Sequence, residues 1–431
     1  MRRVAVIGSG ISGLSVAHSL ALEAQVTLFE GGSYFGGHTH TVDITLDGVT
    51  HGVDTGFLVF NERTYPNLIR LFGELGVQTT ASDMSFSVKV PDTGLEWSGS
   101  DLNTVFAQRR NLVRPGFLKM LADILRFNKL TTALAERGEE ASLQQPIGDF
   151  LAEHRFSAQF RDWYFLPMIG CIWSCPTDQM LRFPIATMIR FCHNHGLLQV
   201  ADRPRWFTVT GGARNYVRKM LPRINDARLN TPVRSVRRIP AGAIVITDHS
   251  TEQFDDVVLA CHSDQSLALL ADASEAEREV LGAIRYHRNR AVLHTDTSLL
   301  PTRPLAWAAW NYERAAHGPR EQAAVCLHYL INRLQPLPFH QPVIVSLNPV
   351  REPSAASVHG EFDYAHPVFD TAAIAAQQRV PSLQGQRNTW FCGAWTRYGF
   401  HEDGLMSGLA VVDQLRRRWV AEAPLAEEVA T

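Results

Sequence analysis

No apolar run in the 431-residue chain approaches the roughly 20 residues that a helix needs to cross a bilayer. Cysteine is scarce and scattered: Cys171, Cys175, Cys192, Cys261, Cys326 and Cys392 follow no framework spacing, which suits a reduced compartment. An excess of one charge sign is lacking too, and a net charge of −2 gives no sign of whole-surface nucleic-acid binding. Lysine is confined to Lys89, Lys119, Lys129 and Lys219. Internal repeats and low-complexity segments are absent. The opening "MRRVAVIGSG" shares two arginines with a signal peptide, but its apolar run is short and leads straight into glycines. A mature, cytoplasmic start is expected. With 45% hydrophobic residues, the chain has enough apolar material for two domains or one interleaved pair.

What is present is glycine at particular places. "RVAVIGSGISGLSVAHSLALEAQVTLFEGG" reads as a strand from Arg3 to Ile7, a turn, a helix over residues 12 to 22 and a second strand from Gln25 to Glu30. Gly8, Ser9, Gly10, Ile11, Ser12 and Gly13 form G-x-G-x-x-G. Gly8 permits the tight turn, Gly10 admits a pyrophosphate to the backbone, and Gly13 lets helix and strand pack closely. The helix start would face the phosphates with free N–H groups. Glu30 stands at the end of the second strand, where a carboxylate accepts from an adenosine ribose and repels a 2′-phosphate. Dinucleotide binding follows, with NADP disfavoured.

Gly31 and a second glycine pair, Gly36-Gly37, come next, followed by His38 and Thr39. Val42, Ile44 and Leu46 then alternate into a tight Asp47-Gly48 turn and a return strand. An NAD domain would continue with a full crossover helix. The pattern instead resembles the FAD-binding half of the amine oxidase, phytoene desaturase and protoporphyrinogen oxidase superfamily. The resemblance extends to "WFTVTGGARNYVRKML", to the meander "ARLNTPVRSVRRIPAGAIVITDHSTEQFDDVVLACHS" and to "WFCGAWTRYGFHEDGLMSGLAVVDQL". It implies FAD as cofactor and an α/β fold. A glutathione-reductase-type (Rossmann-like) FAD-binding domain would be interleaved with an α+β, amine-oxidase-like substrate domain.

The same resemblance implies roles. Gly36 and Gly37 would lie along the pyrophosphate and ribityl chain, with His38 and Thr39 beside them. Val233 would offer its backbone to the adenine. The strand ending at Gly393 would lead past the flavin, and the "DTGF" turn with Gly56 would approach it. A helix starting over Gly404 to Gly408 would turn free N–H groups near Leu405 and Met406 toward flavin N1 and O2.

Further strings are more specific: "VDTGFLVFNERTYPNL", "MIGCIWSCP", "NHGLL", "RPRWFTVTGG", "LAWAAWNY", "HYLINRLQPL" and "VSLNP". Over nearly the whole chain these resemble a bacterial family of NAD/FAD-binding, amine-oxidase-like proteins. Members accompany cyclopropane-fatty-acid-synthase-like methyltransferases, and one branch is implicated as the acyl desaturase of furan fatty-acid formation. The resemblance implies a fatty-acyl or phospholipid substrate and a methyltransferase partner.

No second G-x-G-x-x-G lies in a strand–helix context, so no separate NAD(P)H domain is expected. Electrons would come from the substrate, then pass to oxygen, a quinone or another protein, or return in a redox-neutral isomerisation. Removing hydrogen from an acyl chain needs hydride transfer to the flavin and a base nearby. His401 is the first candidate, with Tyr398, Glu402 and Asp403 in the same loop, then Asp54 and Tyr65. His401 could equally hydrogen-bond the flavin, and Asp54 could cap a turn. Amine oxidases often place a lysine near flavin N5, and none of the four lysines falls in the flavin loops. Amine oxidation, fatty-acid isomerisation and a non-catalytic flavoprotein serving a lipid methyltransferase remain the alternatives.

Residues 102 to 135 combine Phe106, Leu118, Leu121, Leu125 and Leu130 with Arg109, Arg110, Arg114, Lys119, Arg126 and Lys129. Such a segment can lie on an anionic membrane or form a core helix with a solvated basic side, so peripheral attachment to the inner membrane face is an expectation. "FLPMIGCIWSCP", with Trp307, Trp310 and Phe339, could line an acyl tunnel or simply be core. Cys171 and Cys175 with His193 and His195 match no strong zinc spacing, so no metal is expected. Residues 1–75, 205–265 and 385–420 are expected to build the FAD-binding domain. Residues 76–204, mostly helical, and 266–384, strand-rich, would build the substrate domain, with the active site between the two and 421–431 a flexible tail.

Overall fold

Continuous apolar strands such as "VAVI" are the mark of parallel sheets buried on both faces, and Val4, Ala5 and Val6 are fully buried. The computed structural model describes residues 1–173, 176–199, 204–314 and 325–422. The chain forms two units: Met1–Thr39, Tyr216–Ile284 and Ala375–Thr431 in the first, His40–Asn215 and Arg285–Ile374 in the second.

The first unit holds a five-stranded parallel sheet in the order Asp226–Arg228, Gln25–Phe29, Arg3–Ile7, Asp256–Leu259 and Thr389–Phe391. The expected strand–helix–strand opening is there, with its helix at Ile11–Leu20. The last helix, His401–Glu422, packs against that helix. Val233–Ile239, Gly242–Thr247 and Thr251–Phe254 form the antiparallel meander.

The second unit begins with the hairpin Thr41–Leu46 and Val49–Asp54. Asp47 (φ 51°) and Gly48 (φ 80°) turn it in the left-handed region that tight hairpins require. Phe60–Asn61, Trp206–Val209 and Thr79–Ser82 make a small antiparallel sheet. A seven-stranded sheet runs Val358–Val368, Arg285–His294, Ile344–Leu347, Cys326–Leu330, Trp310–Glu313, Phe86–Val90 and Leu95–Ser98. The helices Pro115–Glu136, Leu166–Trp173 and Ile185–Asn194 belong to the same unit. Phe127 meets Phe156, Phe160 and Phe165 there at centroid distances of 5.3–5.4 Å.

The unit boundaries differ from the expected ones. Residues 40–75 and 205–215 belong to the second unit, and residues 266–284 and 375–384 to the first. Pairing explains part of this: among the described residues, the strand Trp206–Val209 pairs only with strands of the second unit. Of the expected tail, residues 421 and 422 close the last helix and 423–431 lie outside the described residues. Among the described residues no helix is long and apolar enough to cross a membrane.

Candidate functional site

The N-terminal glycines are constrained by what surrounds them. Gly8 (φ +102°) donates its N–H to the Phe29 carbonyl at 2.9 Å, and a Cβ there would stand 2.8 Å from the Ala260 carbonyl oxygen. A Cβ on Gly13 would stand 1.9 Å from the Gly8 oxygen, so the helix can sit on its strand only with glycine. Gly10 differs: a Cβ there would meet no atom within 4 Å. That open space lies at the start of the Ile11–Leu20 helix, where unspent N–H groups favour an anion. A Cβ on Gly37 would come within 3.1 Å of the Gly10 Cα, so the two glycine segments approach backbone to backbone.

Ser9 ties these parts together. Its N–H and hydroxyl both donate to Glu30 Oε2, at 3.0 and 2.5 Å, and its oxygen accepts the Gly36 N–H at 3.1 Å. Glu30 Oε1 accepts from the Gly32 N–H at 2.8 Å. With two lone pairs on each oxygen, the carboxylate retains capacity for a ribose hydroxyl. The neighbouring Tyr34 phenol is pushed up to about 12 by burial and by the Glu30 charge. Val233 arrives beside this corner, because the Thr231 N–H donates to the Glu30 carbonyl and the Asn230 N–H to the Gly32 carbonyl. Pro232 lies 3.5 Å from where a Gly31 Cβ would be.

The C-terminal segment reaches the same place. A Cβ on Gly404 would lie 2.8 Å from the Ile11 side chain, and one on Gly408 would lie 2.2 Å from Ser15 Oγ. The last helix therefore starts next to the first, with Ile11 and Ser12 buried between them. Gly393 donates to Ser407 Oγ at 2.9 Å, and a Cβ on it would collide with the Trp395 indole. One expectation is corrected. The helix begins at His401, not Gly404, and the Gly404 N–H already donates to the Phe400 carbonyl at 3.0 Å. Leu405 and Met406 lie inside the helix, so the amides at its open end are those of His401, Glu402 and Asp403. The cause is local capping: the Phe400 N–H donates to Asp403 Oδ2 at 3.0 Å, which starts the helix one turn early.

His401 is half-buried at the first position of the last helix. Its Nε2 lies 2.8 Å from the Tyr216 hydroxyl, which lies 2.5 Å from Thr39 Oγ1. Burial, reinforced by the nearby His38 ring, pushes the imidazole down to about 3, so it is neutral. His38 is pushed down to about 4 by burial and by His262, whose ring centroid is 6.2 Å away. Tyr216 was not legible as a site residue, because nothing local in the sequence links it to a histidine 185 positions on. Tyr398 is half-buried in the turn before the helix. Glu402 is buried in the first turn, and Asp403 is pushed up to about 6 by burial while capping that turn.

Asp54 and Tyr65 fall in the second unit. Asp54 Oδ1 accepts from the Thr41 hydroxyl at 2.5 Å and from the Ala213 N–H at 2.9 Å, and Oδ2 accepts from Gln335 Nε2 at 3.0 Å. Its own N–H donates to Gln335 Oε1 at 3.0 Å. Burial pushes the carboxyl up to about 7 against the pull of these donors and the Arg214 charge. Asp54 thus clamps the Gly211–Ala213 turn to the hairpin. Gly56 is half-buried in the bend that follows, and Tyr65 is buried before the helix Pro66–Leu75, with its ring 6.4 Å from Phe60.

Among the described residues, Cys171, His193 and His195 form no metal-ligating group. Cys175 lies outside the described residues, burial pushes the Cys171 thiol far up, and His195 spends Nδ1 on the Phe191 carbonyl at 2.9 Å. Elsewhere in the second unit, Glu313, Cys326 and His328 gather their donor atoms within 4.8 Å. They already serve one another: His328 reaches Glu313 at 3.1 Å and Ser346 Oγ at 2.7 Å, and Lys89 pairs with Glu313 at 3.1 Å.

The glycine loop and Glu30 corner of the first unit fit the nucleotide half of FAD. Two glycine backbones face each other over an anion-favouring helix start, a ribose carboxylate stands beside the Val233 segment, and a second helix start adjoins the first. When bound, FAD would supply a hydride acceptor. Gly10, Gly37, Ser9 and Glu30 are the residues positioned to hold its nucleotide half.

Known proteins agree with this reading. The chain is 28% identical over 292 residues to the carotenoid phi-ring synthase of Streptomyces griseus. That match takes in 63% of this chain and 54% of the synthase, so the chain spans about half the length of that relative. Among solved structures it resembles a CLA-producing fatty acid isomerase from P. acnes, with a TM-score of 0.67, 16% identity and 96% and 98% of the two chains covered. It also resembles the cyclohexylamine oxidase of Brevibacterium oxydans IH-35A, with a TM-score of 0.66, 15% identity and 96% and 100% covered. At such identities these likenesses establish the fold. The family model for flavin containing amine oxidoreductase matches residues 11–293, and the chain belongs to that FAD-dependent oxidoreductase family.

Proposed function

We propose that the chain dehydrogenates a fatty acyl chain, free or carried on a methylated phospholipid. One C–H bond gives up a hydride, its neighbour gives up a proton, and a C=C bond forms between the two carbons. Bound FAD would supply the hydride acceptor, with dioxygen or a quinone as the final oxidant. His401 is the residue that would accept the proton, as a neutral imidazole whose ring is oriented through Tyr216 and Thr39. The names of the relatives point toward apolar substrates, a carotenoid ring and a fatty acid, as well as toward amines.

The observation that favours a lipid over an amine is the state of the buried carboxylates in the second unit. An ammonium substrate calls for a carboxylate or an aromatic cage to receive it. Asp54 is held by Thr41, Ala213 and Gln335. Asp123 serves Arg126 and Ser157, and Glu96 serves Thr302 and Arg303. Glu140 pairs with Arg190, and Glu313 with Lys89. Of the buried acids described there, Asp54, Glu96 and Asp123 are engaged through both oxygens, whereas Glu140 keeps Oε2 without a hydrogen-bond partner in the chain. Anaerobic mixing of the yellow protein with methylated unsaturated phospholipids should bleach the flavin, and putrescine or cyclohexylamine should not. Bleaching by amines alone would replace this reading with amine oxidation, and bleaching by neither would remove both.

A further inference from the structure

The outward side of residues 102–129 carries large apolar side chains among basic ones, where a solvated surface is ordinarily polar. In the helix Pro115–Glu136, Phe117, Met120, Phe127 and Thr131 face inward. The exposed positions Leu118, Ala122, Leu125 and Lys129 recur at helical spacing and so share one face. Leu125 is 62% exposed. Ahead of the helix, the turn Arg109–Val113 presents Leu112 and Val113, the latter 81% exposed. Leu102, at 79%, continues the patch in sequence. Single exposed leucines are ordinary, but a cluster of this kind marks an interaction surface.

Charge says what covers it. Arg109, Arg110, Lys119, Arg126 and Lys129 are exposed in the same segment, Arg109, Arg110 and Arg126 also donating to carbonyls of this chain. The one acidic residue between 102 and 135, Asp123, is turned inward, where it accepts from Arg126 at 2.9 Å and from the Ser157 N–H at 3.0 Å. An isologous contact between two copies through this face would set basic groups against basic groups. A surface that takes up apolar side chains and lines its rim with anionic phosphates satisfies both features.

We propose that residues 102–129 form a docking face for an anionic phospholipid surface. Leu112, Val113, Leu118 and Leu125 enter the interface, while Arg109, Arg110, Lys119 and Lys129 meet the lipid phosphates. The proposal rests on this surface alone and not on the identity of the substrate.

The test is flotation of the full-length flavin-loaded protein with phosphatidylcholine vesicles, with and without phosphatidylglycerol. Binding is expected only when phosphatidylglycerol is present, and it should fall at least tenfold between about 0.1 M and about 1 M salt, as the Debye length shrinks from about 10 Å to about 3 Å. The combined Leu112→Ser, Val113→Ser and Leu125→Ser variant should lose binding with its flavin spectrum intact, and so should Lys119→Glu with Lys129→Glu. Indifference to phosphatidylglycerol, undiminished binding by both variants, or self-association that the serine variant abolishes would overturn the proposal. Protein that floats with vesicles but is never bleached by lipid would count against the substrate reading alone. Protein that is bleached by detergent-dispersed lipid but ignores vesicles would count against the docking face alone.

Discussion

Gly10 and Gly37 stand so close that a side chain on Gly37 would touch the Gly10 Cα at 3.1 Å, although 27 positions separate them in the chain. Beside them, a Cβ on Gly10 itself would meet nothing within 4 Å. Gly10→Val should therefore fold normally and emerge colourless, because the new side chain fills space reserved for the pyrophosphate. Gly408→Ala should do the reverse. Its Cβ would lie 2.2 Å from Ser15 Oγ and 2.5 Å from the Ser12 carbonyl, and such overpacking costs about 1–3 kcal/mol. Circular dichroism and flavin absorbance on the two variants check the distinction. A yellow Gly10→Val protein would place the nucleotide elsewhere.

Tyr216→Phe removes the hydroxyl between Thr39 and His401 without changing ring volume. One hydrogen bond contributes about 0.5–1.5 kcal/mol, so flavin reduction should slow by a few-fold to about tenfold. His401→Ala should slow it further, with FAD still bound. Because the imidazole is pushed down to about 3, the rate should show no histidine titration near its ordinary 6.5. A clear inflection there, abolished by His401→Ala, would mean that the ring titrates near its ordinary value and is not held neutral by burial.

Asp54→Asn tests whether the clamp is chemical or structural. The amide would turn a donor toward the Ala213 N–H, at a cost of about 1–3 kcal/mol in thermal stability. Reduction of the bound flavin at low temperature should stay within a few-fold of the parent rate. A fall of a thousandfold with unchanged stability would restore Asp54 as a base.

Stability should fall on both sides of neutrality. His38, His195, His262 and His294 are pushed down to about 4 by burial, and His401 to about 3. Each is neutral when folded, so its contribution is present above the unfolded value near 6.5 and is lost as pH falls toward the folded one. Asp54, pushed up to about 7, and Asp403, to about 6, act oppositely and blunt that acid limb. On the alkaline side, burial lowers His328, but Cys326 and Glu313 outweigh it and push the ring up to about 9. Its contribution is complete below about 6.5 and is lost as pH rises through 9. Thermal melts from pH 4 to pH 10 should peak between these limits, and His328→Gln should flatten the alkaline decline.

Local pattern made the cofactor half readable. The alternation of Val42, Ile44 and Leu46 with Asp47-Gly48 marked the hairpin, and the glycine loop with Glu30 marked the opening strand, helix and strand. What escaped depends on contacts between distant segments. The Tyr216 link to His401, the Ala213 and Gln335 partners of Asp54, and the assignment of Trp206–Val209 to the second unit span 124 to 281 positions. The early start of the last helix escaped for the opposite reason. It depends on a single carboxylate, Asp403, turning back to the Phe400 amide, which competes with a glycine pattern that points three residues later.

The most direct test of the central claim is the rate of anaerobic flavin bleaching by a methylated unsaturated phospholipid, compared with the same lipid deuterated at the carbons that become the new double bond. Bleaching slowed several-fold by deuterium, with a chain two hydrogens poorer recovered afterwards, is the result predicted. A flavin that stays oxidised through many hours of contact with the lipid, while another reductant bleaches it at once, would contradict the account.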